Sequence, residues 1–428
     1  MISDKEILKY EKIIFHIDVN SAFLSWTAVK KLKDEPGSID LRTIPSAVGG
    51  DVKNRHGIIT AKSIPAKKYG VTTGEPVVKA LQKCPKLVLV QSDFATYKEY
   101  SRAFISIISK YSPLLQQVSI DEAYLDISGM RGLYKAAETK ELPFPINIAN
   151  LIKNEVRDTL GFTVNVGISC NKLLAKMASD FTKPDKIHTL FPEEIPEKMW
   201  PLPIEDLYGC GSSTAQRLKS IGIRTIGDAA KASPEMLISI LGENGGAYIY
   251  NSANGIGSTN VSGTYEDAKS YSNETTLSSD LTADSYDKEI IPVLKHLSNS
   301  VSKRLKRDNV YGRTVTVSVK TGSFKRHSAQ MQLDNSINDE NSLFTFSKML
   351  SDKLLLGNNG LFIQGEVIRL VGVGVTKLDD GSYRQLSLFD NTFNAPSKDD
   401  QKQKKLDEMS KLIDEKYGKN TIFKGSSL

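Results

Sequence analysis

The chain has 428 residues, 39% hydrophobic and 25% charged, enough for two to four ordinary globular cores. No apolar run approaches the ~18 residues of a transmembrane helix, the N-terminus MISDKEILKYEK carries acids where a secretory leader would be apolar, and three scattered cysteines (Cys84, Cys170, Cys210) argue against a disulfide framework or a cysteine zinc cluster and for a reducing, cytoplasmic setting. The net charge of +6 is too small to argue for nucleic acid by itself.

Residues 12–19, KIIFHIDV, read as a strand. Ile13, Phe15, Ile17 and Val19 fall on one face, His16 and Asp18 on the other. NSAFLSWTAVKKL opens a helix, with Asn20 or Ser21 as its cap. Residues 36–91 read as short strands and loops. Residues 97–111 read as a helix from the spacing of Phe104, Ile107, Ile108 and Tyr111.

SIDEAYLDIS (119–128) follows, with adjacent carboxylates Asp121 and Glu122 inside a strand-like alternation. The apolar phase slips by one residue at the pair, as at a hairpin turn or bulge. A solvated turn would explain an aspartate there equally well. A helix at 147–160, a strand at 162–169 (FTVNVGIS) and a helix at 171–182 stopped by Pro184 complete a mixed α/β layer.

A small helical unit spans 204–256, and the Ser/Gly/Asn-rich stretch 251–275 reads as a linker. In the last folded piece, 276–379, Ile290, Leu294, Leu297, Val301 and Leu305 make one helical stripe. RTVTVSVKT alternates strictly, FTFSKMLSDKLLL reads as a second helix and GEVIRLVGVGVTKL as a closing strand. Helices on one face of an antiparallel sheet would leave its other face free. Residues 299–330 hold eight cations against Asp308 alone.

Asp18 is the third carboxylate that the acidic pair needs to be more than a turn. Strands of one sheet could bring it beside Asp121 and Glu122. Three crowded carboxylates repel unless cations compensate, and hard oxygen ligands favour Mg²⁺. Two such ions suit phosphoryl transfer.

FHIDVNSAF together with SIDEAYLDIS resembles the catalytic signatures of Y-family, translesion DNA polymerases, from residue 11 to about 380. The resemblance implies an α/β multi-domain chain: palm at 11–30 and 92–190, fingers at 31–91, and a thumb with a helix-hairpin-helix at 191–256. A linker at 257–275, a little finger of antiparallel sheet and two helices at 276–380, and a flexible tail at 381–428 would follow. It implies that Asp18, Asp121, Glu122 and the Val19 carbonyl bind two Mg²⁺, and that Phe23, five residues after the first aspartate, is a steric gate against ribose. ITAKSIPAKKYGV (59–71) resembles the fingers motif, with Lys67 where arginine is usual and no counterpart for its tyrosine. ASDFTKPDK implies Lys183 as a second triphosphate lysine.

Tyr208-Gly209-Cys210-Gly211 resembles the hairpin that grips a DNA backbone, with Gly209 and Gly211 as contacts. Arg313, Lys320, Lys325 and Arg326 would form a basic sheet face on DNA. QLSLF in the tail resembles the bacterial sliding-clamp peptide, with Gln385 hydrogen-bonding and Leu386, Leu388 and Phe389 as apolar anchors. The expected activity is error-prone, template-directed transfer from dNTP to a primer 3′-hydroxyl by a chain monomeric apart from the clamp, with no proofreading segment. Two branches stay open, a stand-alone polymerase IV-like enzyme and a UmuC-like subunit needing partners. A two-metal nuclease would leave Phe23 and the lysines unexplained, and an inactive DNA- and clamp-binding paralogue would need a missing metal ligand, where none is missing.

Overall fold

The computed structural model describes residues 7, 9–50, 57–263 and 267–381. The clamp-peptide residues Gln385, Leu386, Leu388 and Phe389 lie outside them. Among the described residues no helix is long and apolar enough to cross a membrane. The chain divides into two units, meeting in sequence at Asp267 and Ala268.

The first unit begins with β1 (Ile14–Val19) and α1 (Ala22–Asp34). Then come β2 (Ser46–Gly49), β3 (Ile59–Lys62), α2 (Ile64–Lys68), α3 (Val77–Lys83) and β4 (Val88–Val90). The region read as strands and loops thus also holds two helices. They have five and seven residues, too few for an apolar period to show. β3, β2 and β4 form a small sheet in that order.

α4 (Phe94–Ile108), β5 (Leu115–Gln117), β6 (Glu122–Asp126), α5 (Ile146–Leu160), β7 (Val164–Ser169), α6 (Lys172–Asp180) and β8 (Ile187–Thr189) complete the main layer. Its sheet runs β5-β6-β1-β7-β8, antiparallel except for the β7–β8 pair. β1 is central, and every one of its residues is buried. Phe15, Ile17 and Val19 join a core with Tyr97, Phe104 and Ile152. The face holding His16 and Asp18 is covered by α6 instead of solvent. At Gly167 of β7 an added Cβ would lie 2.0 Å from the Ala175 carbonyl oxygen of α6, so glycine permits this close crossing.

Helices α7 (Ser212–Lys219), α8 (Ile226–Lys231), α9 (Pro234–Leu241) and α10 (Glu243–Ala253) pack around Leu207, Leu218, Leu237 and Ile249. The following segment, read as linker, is partly built in. Val261 is buried, and the Lys172 N–H donates to the Ser258 carbonyl at 2.9 Å.

The second unit is a four-stranded antiparallel sheet ordered β11-β10-β12-β9 with two helices. Its elements are β9 (Ser270–Leu281), α11 (Ile291–Arg307), β10 (Tyr311–Thr321), β11 (Arg326–Ile337), α12 (Glu340–Leu355) and β12 (Ile368–Asp379). β9 therefore starts inside the expected linker. Its middle is Ser, Asn, Glu and Thr, and only Tyr271, Leu277 and Leu281 are buried, so composition hid a strand. The Leu294, Leu297, Val301 and Leu305 stripe packs with Val315, Val317 and Val319. Each such buried aliphatic side chain contributes ~1.5–3 kcal/mol.

Candidate active site

Three local features bring the acids together. Asp18 pairs with Glu122 directly across the β1–β6 ladder. Asp121 ends the β5–β6 turn, and its carbonyl accepts the Val19 N–H at 3.1 Å. The Ser119 hydroxyl donates to Asp121 Oδ1 at 2.6 Å, and Ser119 Oγ accepts the N–H groups of Asp121 and Glu122 at 3.2 and 3.1 Å. This turn is the phase slip seen in the sequence, and it sends the two like charges to different surroundings.

Glu122 is held beneath α6. Its Oε2 lies 3.3 Å from His16 Nε2, and its Oε1 accepts from Lys176 Nζ at 3.2 Å. His16 Nδ1 lies 2.8 Å from Ser179 Oγ. Burial lowers the His16 pKa, Ser179 Oγ donates to the Lys176 carbonyl at 2.8 Å, and His16 Nε2 lies in hydrogen-bond contact with Glu122. That hydrogen bond, opposed by burial and helped by Lys176, holds Glu122 down to about 2.

Asp18 is only 6% exposed. Burial raises its pKa against the pull of Lys183, which forms an ion pair with it. Lys183 is also 2.9 Å from Asp180. Burial works against the charged form of Lys183, but Asp18 and Asp180 offset this and raise its pKa. Two buried side chains position this lysine. Asn20 Oδ1 accepts the Asp185 N–H at 2.9 Å, and Asn165 Nδ2 donates to the Ser179 and Thr182 carbonyls at 3.0 and 2.7 Å. The α1 start thus uses Asn20 as a tie between segments, and Ser21 stands at the cap position without a side-chain cap bond.

A cavity of about 460 Å³ is lined by Asp18, Val19, Phe23, Lys67, Asp121 and Lys183, among others. Phe23 stacks on Tyr97 with ring centroids 4.6 Å apart and planes at 14°, which fixes one wall. Lys67 lies in α2, whose Ser63 cap accepts the Ala66 N–H at 3.0 Å. Glu122 is not part of the lining. Among the described residues no trio of His, Cys, Asp and Glu converges closely enough to hold a metal ion. The donor chemistry nevertheless suits a hard cation: Asp18, Asp121 and Val19 line one cavity, Glu122 faces Asp18, and lysines supply the compensating charge.

The expected DNA contacts are more scattered. Gly209 has φ +83, and a Cβ there would meet the Tyr248 ring, whose hydroxyl donates to the Tyr208 carbonyl at 2.9 Å. Gly211 precedes α7 with open space beside it. Lys320 sits opposite Arg326 across the β10–β11 ladder. Arg313 is paired with Asp379 at 3.2 Å and Arg326 with Glu274 at 2.9 Å, so two of the four cations are neutralised. Lys325 is exposed in the β10–β11 turn.

Sequence reasoning missed Lys176, His16, Ser179 and Lys62. Lys176 lies in α6, which ends at Asp180, and Lys183 follows beyond it, so no helical period links the two lysines in the sequence.

Family models match most of the chain. Residues 17–180 match the impB/mucB/samB family, 192–223 the IMS family HHH motif, and 268–388 the impB/mucB/samB family C-terminal domain. A curated relative named DNA polymerase IV, from Clostridium acetobutylicum, is 39% identical over 96% of this chain and 97% of its own length. A DNA polymerase IV of Bacillus velezensis is 36% identical over 97% of this chain and 93% of its own. DNA polymerase IV 1 of Bacillus subtilis is 35% identical with the same coverage, 97% and 93%. In fold, the chain is similar to a solved Y-family DNA polymerase chimera, with a TM-score of 0.70 at 24% identity over 85% of this chain and 98% of that one.

Proposed function

The chain belongs to the impB/mucB/samB family and is a Y-family translesion DNA polymerase, and from that premise we propose how its residues divide the work. Asp18, Asp121, Glu122 and the Val19 carbonyl hold two Mg²⁺. When bound, the ions supply Lewis acidity at the attacking 3′-oxygen and the leaving pyrophosphate. The chain's own residues do the rest. Lys67 and Lys183 neutralise the triphosphate, Lys183 exchanging its carboxylate partners for phosphate oxygens. His16 and Lys176 keep Glu122 ionised and aligned. The Phe23 ring, backed by Tyr97, leaves no space for a 2′-hydroxyl.

One observation supports this reading: the same cavity is lined by two carboxylates, three lysines, an arginine and an aromatic ring, the set that a nucleoside triphosphate and cations require. The relatives' names favour the stand-alone polymerase IV branch over the UmuC-like one. Gly209 and Gly211 offer backbone N–H groups to the primer-template. Lys320, Lys325 and Arg326 contact its phosphates from the turn end of β10 and β11 in the second unit, with Arg313 towards the other end of β10. Gln385, Leu386, Leu388 and Phe389 tether the chain to a bacterial sliding clamp.

The test is primer extension on undamaged and abasic templates with Mg²⁺ and each dNTP or rNTP supplied separately. Asp121→Ala should lower extension by on the order of 10³-fold or more while primer-template binding is kept. Retained extension would remove Asp121 from the metal site. Phe23→Ala should admit ribonucleotides about 10- to 100-fold better, and unchanged discrimination would remove the gate.

A further inference from the structure

Four cations line the cavity: Arg42, Lys62, Lys67 and Lys183. Their partners differ. Arg42 grips Asp40 at both carboxylate oxygens, 3.0 and 2.8 Å, and donates to the Gly161 carbonyl at 2.6 Å. Lys183 is held by Asp18 and Asp180. Lys62 has no carboxylate within ion-pair distance among the described residues. Its Nζ donates to the Thr73 hydroxyl at 3.3 Å, and Thr73 also lines the cavity. The nearby acid, Glu75, is bound to Lys83 at 2.6 Å.

Lys62 is the last residue of β3, and Lys67 follows in α2. Burial, and next the positive charge of Lys67, lower the Lys62 pKa. Two ammonium groups lining one concave site repel one another unless an anion lies between them. Ile64, on the short segment that joins them, has no hydrogen-bond donor in its side chain.

We propose that Lys62 is a substrate-binding residue that contacts the triphosphate of the incoming nucleotide together with Lys67. The inference rests on the polymerase reading of this cavity. Lys62 supplies a phosphate donor from the end of β3. Its three N–H groups grip charge without reading the base, so all four nucleotides benefit equally.

The test uses the full chain, primer-template and Mg²⁺, comparing wild type with Lys62→Ala, Lys62→Met and Lys62→Arg. Extension is measured against each dNTP, and inorganic tripolyphosphate is titrated as a competitor. Loss of a charge-assisted hydrogen bond should raise KM by about tenfold for all four dNTPs, with kcat nearly unchanged because the contact is made before and during reaction. The tripolyphosphate inhibition constant should rise by a similar factor in the Ala and Met variants and recover in Lys62→Arg, with primer-template affinity constant throughout. An unchanged tripolyphosphate constant in Lys62→Ala overturns the proposal, and so does a KM change confined to one base. Equal loss in the Arg and Met variants also overturns it, since that marks a packing role. No extension by wild type would instead overturn the polymerase reading beneath it.

Discussion

Strands β1 and β10 carry the same alternation of apolar and polar residues and meet opposite fates. In β1 the apolar face enters the main core, and the polar face, His16 and Asp18, lies beneath α6. In β10, Val315, Val317 and Val319 pack against helices, while Thr316, Ser318 and Lys320 stay partly exposed on the other face. The difference is whether a helix covers the second face. A covered polar group must find partners, and those partners fix it in place and shift its pKa. An uncovered one keeps water, binds weakly and can exchange partners. The first arrangement suits chemistry at one point. The second suits grip along a repeating backbone.

Removing a partner on each face should separate the two regimes. Lys176→Met strips the covered face of the cation paired with Glu122 and Asp180, and should cost about 3 kcal/mol in denaturant unfolding. A loss below about 1 kcal/mol would mean that the covered face behaves like an open one.

The acid limb of stability sharpens the contrast. Glu122 has a folded pKa of about 2 against an ordinary 4.5, so folding favours its ionised form. That contribution is complete above pH 4.5 and is lost as the pH falls from there towards 2. The stability difference between wild type and Glu122→Gln should shrink across this window. A difference that stays flat with pH would refute the clamp on Glu122.

The smallest effect belongs to the open face. Arg326 and Glu274 are each about half exposed, 50% and 45%, and Glu274→Gln should change stability by only about 0.2–1 kcal/mol. The freed guanidinium should add one phosphate contact, steepening the salt dependence of DNA binding by about 0.9 in log–log slope. An unaltered slope would take Arg326 off the DNA path.

Much of this was legible in local pattern. Period-two alternation marks β1 and β10, and a carboxylate pair at a phase slip marks the β5–β6 turn. What was illegible depends on long separations or short elements. Glu122 meets Lys176 across 54 positions and His16 across 106, and no spacing rule spans such gaps. α2 and α3 are too short for a period, and β9 hides in polar composition. Arg313 and Arg326 look like free charge in the chain because Asp379 and Glu274, which pair with them, come from other strands.

Gly167 gives the site its clearance. A methyl group there would force α6 away from the sheet, and Lys176 and Ser179 would travel with the helix. Glu122 and His16 would then lose their helix partners without either being altered. A survey of inactivating substitutions should therefore include a position with no functional group, remote in sequence from Asp18, Asp121 and Glu122. The clearance of the site is set there by a single hydrogen atom, on a residue that carries no side chain into the cavity.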